Sequence, residues 1–413
     1  RRLLLILLVL VPFLTSVLVR TFSWVVILGR NGMINSALES LGIIHSPLTL
    51  LYTTGSVVVA LVHVTIPLMV FSLVTVMQRI DTRVQLVAES LGASPVSAFL
   101  RIILPLTVPG IRSGAVLVFL YSMASFIAPA VLGGTDQTML AQVIQSQIES
   151  GYNWSLASAL GLVLAIIAVV VVALLGLLAR WATPYLHARR TAPAGPDRIG
   201  EDVSVLREPL AAPHGRPSAL RRTLRTAGRW AARAYLPILT VFLLVPLVVL
   251  VPVSMSSGNT IVFPPRGFSF RWFNSVFTDP KWMDAAATSL RIGVVVSLAA
   301  TVLAVFLVLG LGRHRSKVTG FIESLIMAPL SVPAVVFALG VYLAYSRLFL
   351  LTDRAVRLTD NELGIIIAHT ALVLPFAFLL VSAAYIGVDE QVERAAASLG
   401  ARPRRVLLRV TPP

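Results

Sequence analysis

The chain has no cysteine, so disulfides and thiolate metal sites are both excluded. Charge is scarce as well: Asp, Glu, Lys and Arg together make up 13% of the residues, against about 25% in soluble domains. Lysine occurs only at 281 and 317, so the net charge of +16 is almost wholly arginine. Without a Gly-Lys pair there is no phosphate loop of the form Gly-x-x-x-x-Gly-Lys-Ser/Thr, which excludes ATP hydrolysis by this chain itself. His-Glu-x-x-His and nucleophile-elbow patterns are missing too, and no catalytic residue or metal site is expected.

Apolar residues, by contrast, make up 57% of the chain. A bilayer-spanning helix needs about 20 mostly apolar residues. Eight stretches meet or approach that length, at 3–19, 56–77, 113–132, 156–179, 235–255, 292–312, 319–346 and 363–387. Pro67, Pro329, Pro333 and Pro375 fall inside them, which membrane helices tolerate. The expected fold is therefore an all-α polytopic membrane protein. Arginine concentrates in 1–2, 78–112, 180–233, 313–317 and 394–409, and the intervening loops carry less of it or balance it with acid. The two sets alternate through all eight spans, so the positive-inside rule places the arginine-rich loops in the cytoplasm. The same rule accounts for the basic charge without nucleic acid. Residues 181–234 are rich in Arg, Pro and Ala and read as a flexible cytoplasmic linker between two halves, 1–180 and 235–413, of four spans each.

The halves are related. Ala88-Glu-Ser-Leu-Gly-Ala-Ser-Pro95 returns as Ala396-Ala-Ser-Leu-Gly-Ala-Arg-Pro403, each directly after a long apolar run. At an offset of 308 residues Pro67, Asp81, Val84, Ala88, Ser90, Leu91, Gly92, Ala93, Pro95, Leu100, Arg101 and Pro105 all land on identical residues, without a gap. In the first copy, 82–91 can form a short helix that Gly92 ends in a left-handed turn. Ser94 is a natural N-cap and Pro95 suits the first position of a second helix. That helix carries Val96, Phe99, Leu100 and Ile103 at i, i+3, i+4 and i+7, an apolar stripe that Pro105 closes. A short amphipathic helix of this kind fits a groove on a soluble partner. Two copies imply two partner subunits. The second copy keeps Gly400 and Pro403 but has Arg402, Arg404 and Arg405, so its surface is more basic.

The pattern of Gly92, nine residues, Ile102, one residue, then Leu104-Pro105 resembles the cytoplasmic loop signature of the permease subunits of bacterial ABC importers. In place of the Glu-Ala-Ala that usually opens it stand Leu86-Val87-Ala88 and Arg394-Ala395-Ala396, with Glu89 and Glu393 nearby but out of register. Leu18-Val-Arg-Thr-Phe-Ser-Trp24, Leu28-Gly-Arg-Asn-Gly32 and Leu132-Gly-Gly134 are similar to the first permease subunit of spermidine/putrescine-type importers. Phe268-Ser-Phe-Arg-Trp272 with Ala287-Thr-Ser-Leu290 is similar to the second. The resemblance implies two permease units fused in one chain and about twelve spans. By that count the first half lacks its first two spans and the second stops within its loop.

It also implies that Ala88, Glu89, Gly92, Ala93, Pro95, Phe99, Leu100, Ile102 and Pro105 dock on an ATPase subunit, and that Ala396, Gly400, Ala401, Pro403, Leu407 and Leu408 dock on a second. ATP and magnesium would then bind the partner dimer, and no cofactor this chain. A periplasmic or lipid-anchored binding protein would deliver a small solute across the bacterial inner membrane. A polyamine suits acidic and aromatic groups, and Tyr121, Asp136, Trp154 and Asp284 are the candidates along its path. Related fused permeases move ferric iron, phosphonate or thiamine. An ion-coupled secondary transporter is a further alternative, but such carriers need titratable groups along the path. Only His63 and His369 lie well inside spans, and each is expected to make a helix–helix contact.

Overall fold

A computed structural model describes residues 2–78, 80–81, 83–90, 93, 95–181, 219–311, 316–332, 334–386, 395–396 and 398–401. Among them there is no strand, only an isolated bridge between Ser256 and Phe268. The helices are α1 (Arg2–Leu14), α2 (Val17–Leu28), α3 (Met33–Ser40), α4 (Thr54–Met77), α5 (Arg83–Ser90), α6 (Pro95–Ala98), α7 (Leu104–Ala124), α8 (Ile127–Leu132), α9 (Leu140–Glu149) and α10 (Trp154–Trp181). After the undescribed stretch come α11 (Ala219–Ser254), α12 (Arg271–Thr278), α13 (Pro280–Leu311), α14 (Lys317–Ser331), α15 (Ala334–Leu351) and α16 (Glu362–Ile386). Eight helical stretches among the described residues are long and apolar enough to cross a bilayer. Many apolar side chains on them point away from the bundle, such as Leu162, Ile166 and Val169 on α10. Such a surface belongs in lipid. The chain is a multi-pass membrane protein.

Three of the eight spans differ from the sequence expectation. The segment 3–19 breaks at Thr15–Ser16, where the Thr15 hydroxyl bonds back to the Val11 carbonyl and Ser16 leaves the helical region at ψ 136°. The first stretch fit to cross is therefore Val17–Ser40. The segment 113–132 ends early, because Ser125 turns extended at ψ 128° and the chain restarts as α8. The span there is Phe99–Ala124. The segment 319–346 is two helices, not one. Pro333 drives its predecessor Val332 to φ −101°, ψ 130°, and the chain leaves the helix. A fourth difference concerns the linker: α11 begins at Ala219, inside the range expected to be linker, and runs unbroken into the span. Residues 182–218 lie outside the described residues.

Helix packing follows small residues. In the first half α4 and α7 pair along Gly110 and Gly114, a small-x-x-x-small spacing that lets backbones close up. A Cβ on Gly110 would sit 3.0 Å from Cγ2 of Val76 and 3.2 Å from the Ser72 carbonyl oxygen, and one on Gly114 would collide with Sδ of Met69. The second half pairs α13 with α16 through buried Ala300, Ala304 and Val308, and Arg291 of α13 forms an ion pair with Glu362 of α16. The halves also interlock. Helix α11 packs on α1 and α2, α14 on α7, and α15 on α9 and α10. At Gly161 of α10 an added Cβ would lie 3.0 Å from Cγ2 of Val336 on α15.

His63 on α4 is buried and its Nε2 donates to the Leu243 carbonyl of α11 at 3.2 Å, beside the Pro246 kink. It makes the helix contact expected of it. His369 does not, being exposed on α16. We predict that Gly110→Leu, which overpacks the α4–α7 contact, destabilises the bundle by about 1–3 kcal/mol. A lower thermal-aggregation midpoint in detergent, with a much smaller drop for a Gly176→Leu control in open space, checks it.

Candidate functional site

The doubled turn closes in the same way twice. In the first copy the Ala93 amide donates to the Ala88 carbonyl at 3.0 Å, and in the second the Ala401 amide donates to the Ala396 carbonyl at 3.1 Å. Both pairs are five residues apart and they differ by the 308-residue offset. The bond is the six-to-one closure of a Schellman turn, which requires a left-handed residue one place before the donor. That residue is Gly400 in the second copy, at φ +81°. The serine hydroxyls repeat as well: Ser90 donates to the Val87 carbonyl and Ser398 to the Ala395 carbonyl, each at 2.8 Å.

In the first copy α5 packs against α6 through buried Ala88 and Ala98. Small side chains let two short helices close up, and this turns larger apolar residues outward. Val84, Val87, Phe99 and Leu100 are exposed, with Phe99 and Leu100 each about half accessible. Ile102 and Pro105 are half-buried. Pro105 does not end the helix as expected. The chain passes through a π turn at Phe99–Ile103, closed by the Leu104 amide on the Phe99 carbonyl, and continues as α7. Proline has no N–H to give, and a widened turn is where a helical ladder absorbs that loss. Phe99 and Leu100, expected to dock on a partner, are thus continuous with a membrane-spanning helix. Gly92, Ser94, Pro403, Leu407 and Leu408 lie outside the described residues, and of Glu89 and Pro95 only the backbone is described.

The expected path residues do not converge. Asp136 sits exposed in a 3₁₀ turn and Asp284 exposed near the start of α13. Tyr121 on α7 is half-buried and interacts electrostatically with Arg20. Arg20, read from sequence as the edge of a loop, is instead buried in α2 at 3% exposure, and its Nε and Nη1 have no hydrogen-bond partner among the described residues. Trp154 lines a cavity. Its ring stacks on Tyr342 at 4.8 Å and 16°, across the contact between the halves, beside Glu149. Neither Tyr342 nor Glu149 stood out in the sequence, because nothing local marks two residues that meet only through the α10–α15 contact.

With these features in view, comparison with known proteins is direct. Residues 2–191 match the family described as the inner membrane component of binding-protein-dependent transport systems. A spermidine/putrescine transport system permease protein of Haemophilus influenzae is 36% identical over 164 residues, covering 40% of this chain and 57% of the relative. A molybdenum transport system permease protein of Mycobacterium bovis is 32% identical over 166 residues, covering 40% and 61%. A probable ABC transporter permease protein of Sinorhizobium fredii is 27% identical over 345 residues, covering 82% of this chain and 56% of the relative. An alignment that long runs into both halves of this chain. The chain spans little more than half the length of these curated relatives.

The turn gives a local test. Gly400→Ala puts a side chain on a left-handed residue, at a cost of about 1 kcal/mol, with nothing nearby to clash. Faster hydrogen exchange at the Ala401 amide, with an unchanged signal from α13, is the expected result.

Proposed function

We propose that the chain is the membrane permease of an ATP-driven importer, in which two fused units move a small solute by alternating access. The observation that carries this reading is the doubled turn. One backbone closure recurs at Ala88–Ala93 and Ala396–Ala401, and the first copy presents Phe99 and Leu100 outward on a rigid helix. A pair of like sites on one chain suits a dimeric partner, and an apolar stripe on a short helix suits a groove. The partner we assign is a dimer of ATPase subunits, which supplies the ATP and magnesium that this chain has no phosphate loop to hold. Arginine in the flanking loops puts both turns and the 181–234 linker on the cytoplasmic side of a bacterial inner membrane. A periplasmic or lipid-anchored binding protein delivers the solute from the other side.

The substrate we assign is a polyamine of the spermidine or putrescine kind. The Haemophilus relative supports it, at modest identity and over part of the chain. In the transport step, closure of the ATPase dimer moves the two turns, and the interlocked helices rock the halves between inward- and outward-open states. Transport therefore requires the apolar stripe but stability does not. Phe99→Asp combined with Leu100→Asp is expected to weaken ATPase association at least tenfold while the protein still reaches the membrane. Replacing Gly92 by a bulky residue is expected to leave ATP hydrolysis running without uptake. Normal uptake by either variant in reconstituted vesicles refutes the proposal.

A further inference from the structure

A cavity of about 410 Å³ opens where α9 and the start of α10 meet α15. It is one of the places where the two halves touch. Phe126, Gln145, Ile148, Glu149 and Trp154 come from the first half, and Tyr342 faces them from the second. Its volume is within the range of small-molecule sites, roughly 300–1,000 Å³.

The lining chemistry is one-sided. Glu149 supplies a carboxylate, which accepts a hydrogen bond from Gln145. Among the described residues no Lys or Arg lines the cavity. Two aromatic rings, Trp154 and Tyr342, stand beside the carboxylate, and their negative faces attract cations. Ala334, Val335, Ala338 and Leu339 complete an apolar floor. An oxyanion finds no cationic donor here, and the backbone amide of Leu156, at the first turn of α10, is already taken by the Asn153 side chain. A hard metal ion needs six or more oxygens, which one carboxylate and one amide do not supply. A hydrophilic sugar would leave the apolar floor unused. An amine with a methylene chain uses all of it: ammonium on Glu149, rings against the charge, methylenes on the floor.

We infer that this cavity is an organic-cation subsite shared by the two halves, taking an alkyl ammonium head between Glu149 and the Trp154–Tyr342 pair. As an assignment of where a substrate pauses, it rests on the permease reading. As a binding site it stands alone. Because Trp154 and Tyr342 belong to opposite halves, rocking of the halves parts or closes the stack and so changes the affinity.

The test uses the full chain in nanodiscs, with spermidine as the probe and molybdate as the anionic control. Tryptophan fluorescence is titrated in the native chain and in Trp154→Phe, so that the Trp154 signal is obtained by difference. Spermidine is expected to change that signal saturably and molybdate to leave it unchanged. Glu149→Gln keeps an oxygen for Gln145 and removes only the charge, and it is expected to weaken spermidine binding at least tenfold. Tyr342→Leu is expected to weaken it several-fold while elution on gel filtration is unchanged. A Glu149→Gln titration that overlays the native one overturns the subsite, as does equal binding of molybdate. ATPase association, measured in parallel, separates the two readings. Spermidine binding lost in Glu149→Gln but no ATPase capture by the native chain supports the subsite and rejects the permease reading. ATPase-driven spermidine uptake that Glu149→Gln leaves intact, with no Trp154 signal, does the reverse.

Discussion

Close helix approach at residues that lack a side chain is the constraint on which the rest of this bundle depends. Within a bilayer the lipid tails are as apolar as leucine, so apolar character alone does not draw one helix to another. Shape has to do it. Gly110 and Gly114 bring α7 against α4, and Gly161 brings α10 against Val336 of α15. The first of these contacts anchors the first copy of the turn, because α7 is the continuation of the helix that carries Phe99 and Leu100. The second sets the spacing between the halves.

That second contact also orients the cavity. Trp154 faces Tyr342 and Gly161 faces Val336, so α10 and α15 run antiparallel. Seven residues on α10 separate the tight point from the stack, roughly 10 Å of helix. The halves are pinned at Gly161 by a small core of Ile144, Ala157, Leu164, Val335 and Leu339. They open next to it around Glu149. A pivot with a largely apolar pocket about two turns away is suited to convert a small change of helix angle into a change of pocket width. His63 on the Leu243 carbonyl, and the packing of α11 on α1 and α2, tie the halves together at a separate point.

Much of this was legible in the sequence, and the reason is that lipid simplifies the reading. Span number and the doubled motif depend on local composition and on self-comparison, and both are printed along the chain. Gly400 in a left-handed turn follows from its place after Ser398-Leu399. Breaks within apolar runs were less visible. Pro333 has its effect on Val332, and the same reasoning wrongly ended a helix at Pro105, because a π turn absorbs there what an extended residue absorbs at Val332. What depends on pairing between distant helices was not legible at all. Glu149 and Tyr342 are ordinary residues in sequence, and Arg20 resembled a loop end because α2 was not foreseen. Gly110-x-x-x-Gly114 carried a readable signal, but only the partner helix gives it meaning.

Charge placement decides between the routes that aromatic residues alone leave open. Tyr121 and Trp154 were equal candidates for a cation path by residue type. They are not equal in their surroundings. Tyr121 lies within the field of Arg20, a buried guanidinium with no acidic partner among the described residues, and a polycation brought there meets repulsion in a medium of low dielectric. Trp154 lies beside the Glu149 carboxylate, with no arginine or lysine among the described residues of its cavity. For a polyamine, the side of α9, α10 and α15 is electrostatically the better suited, and the surroundings of Arg20 the worse. For a solute of negative charge the preference inverts. A buried Arg20 and an exposed Glu149, opposite in sign, therefore make the charge of the solute and its path one question, and measuring either answers both.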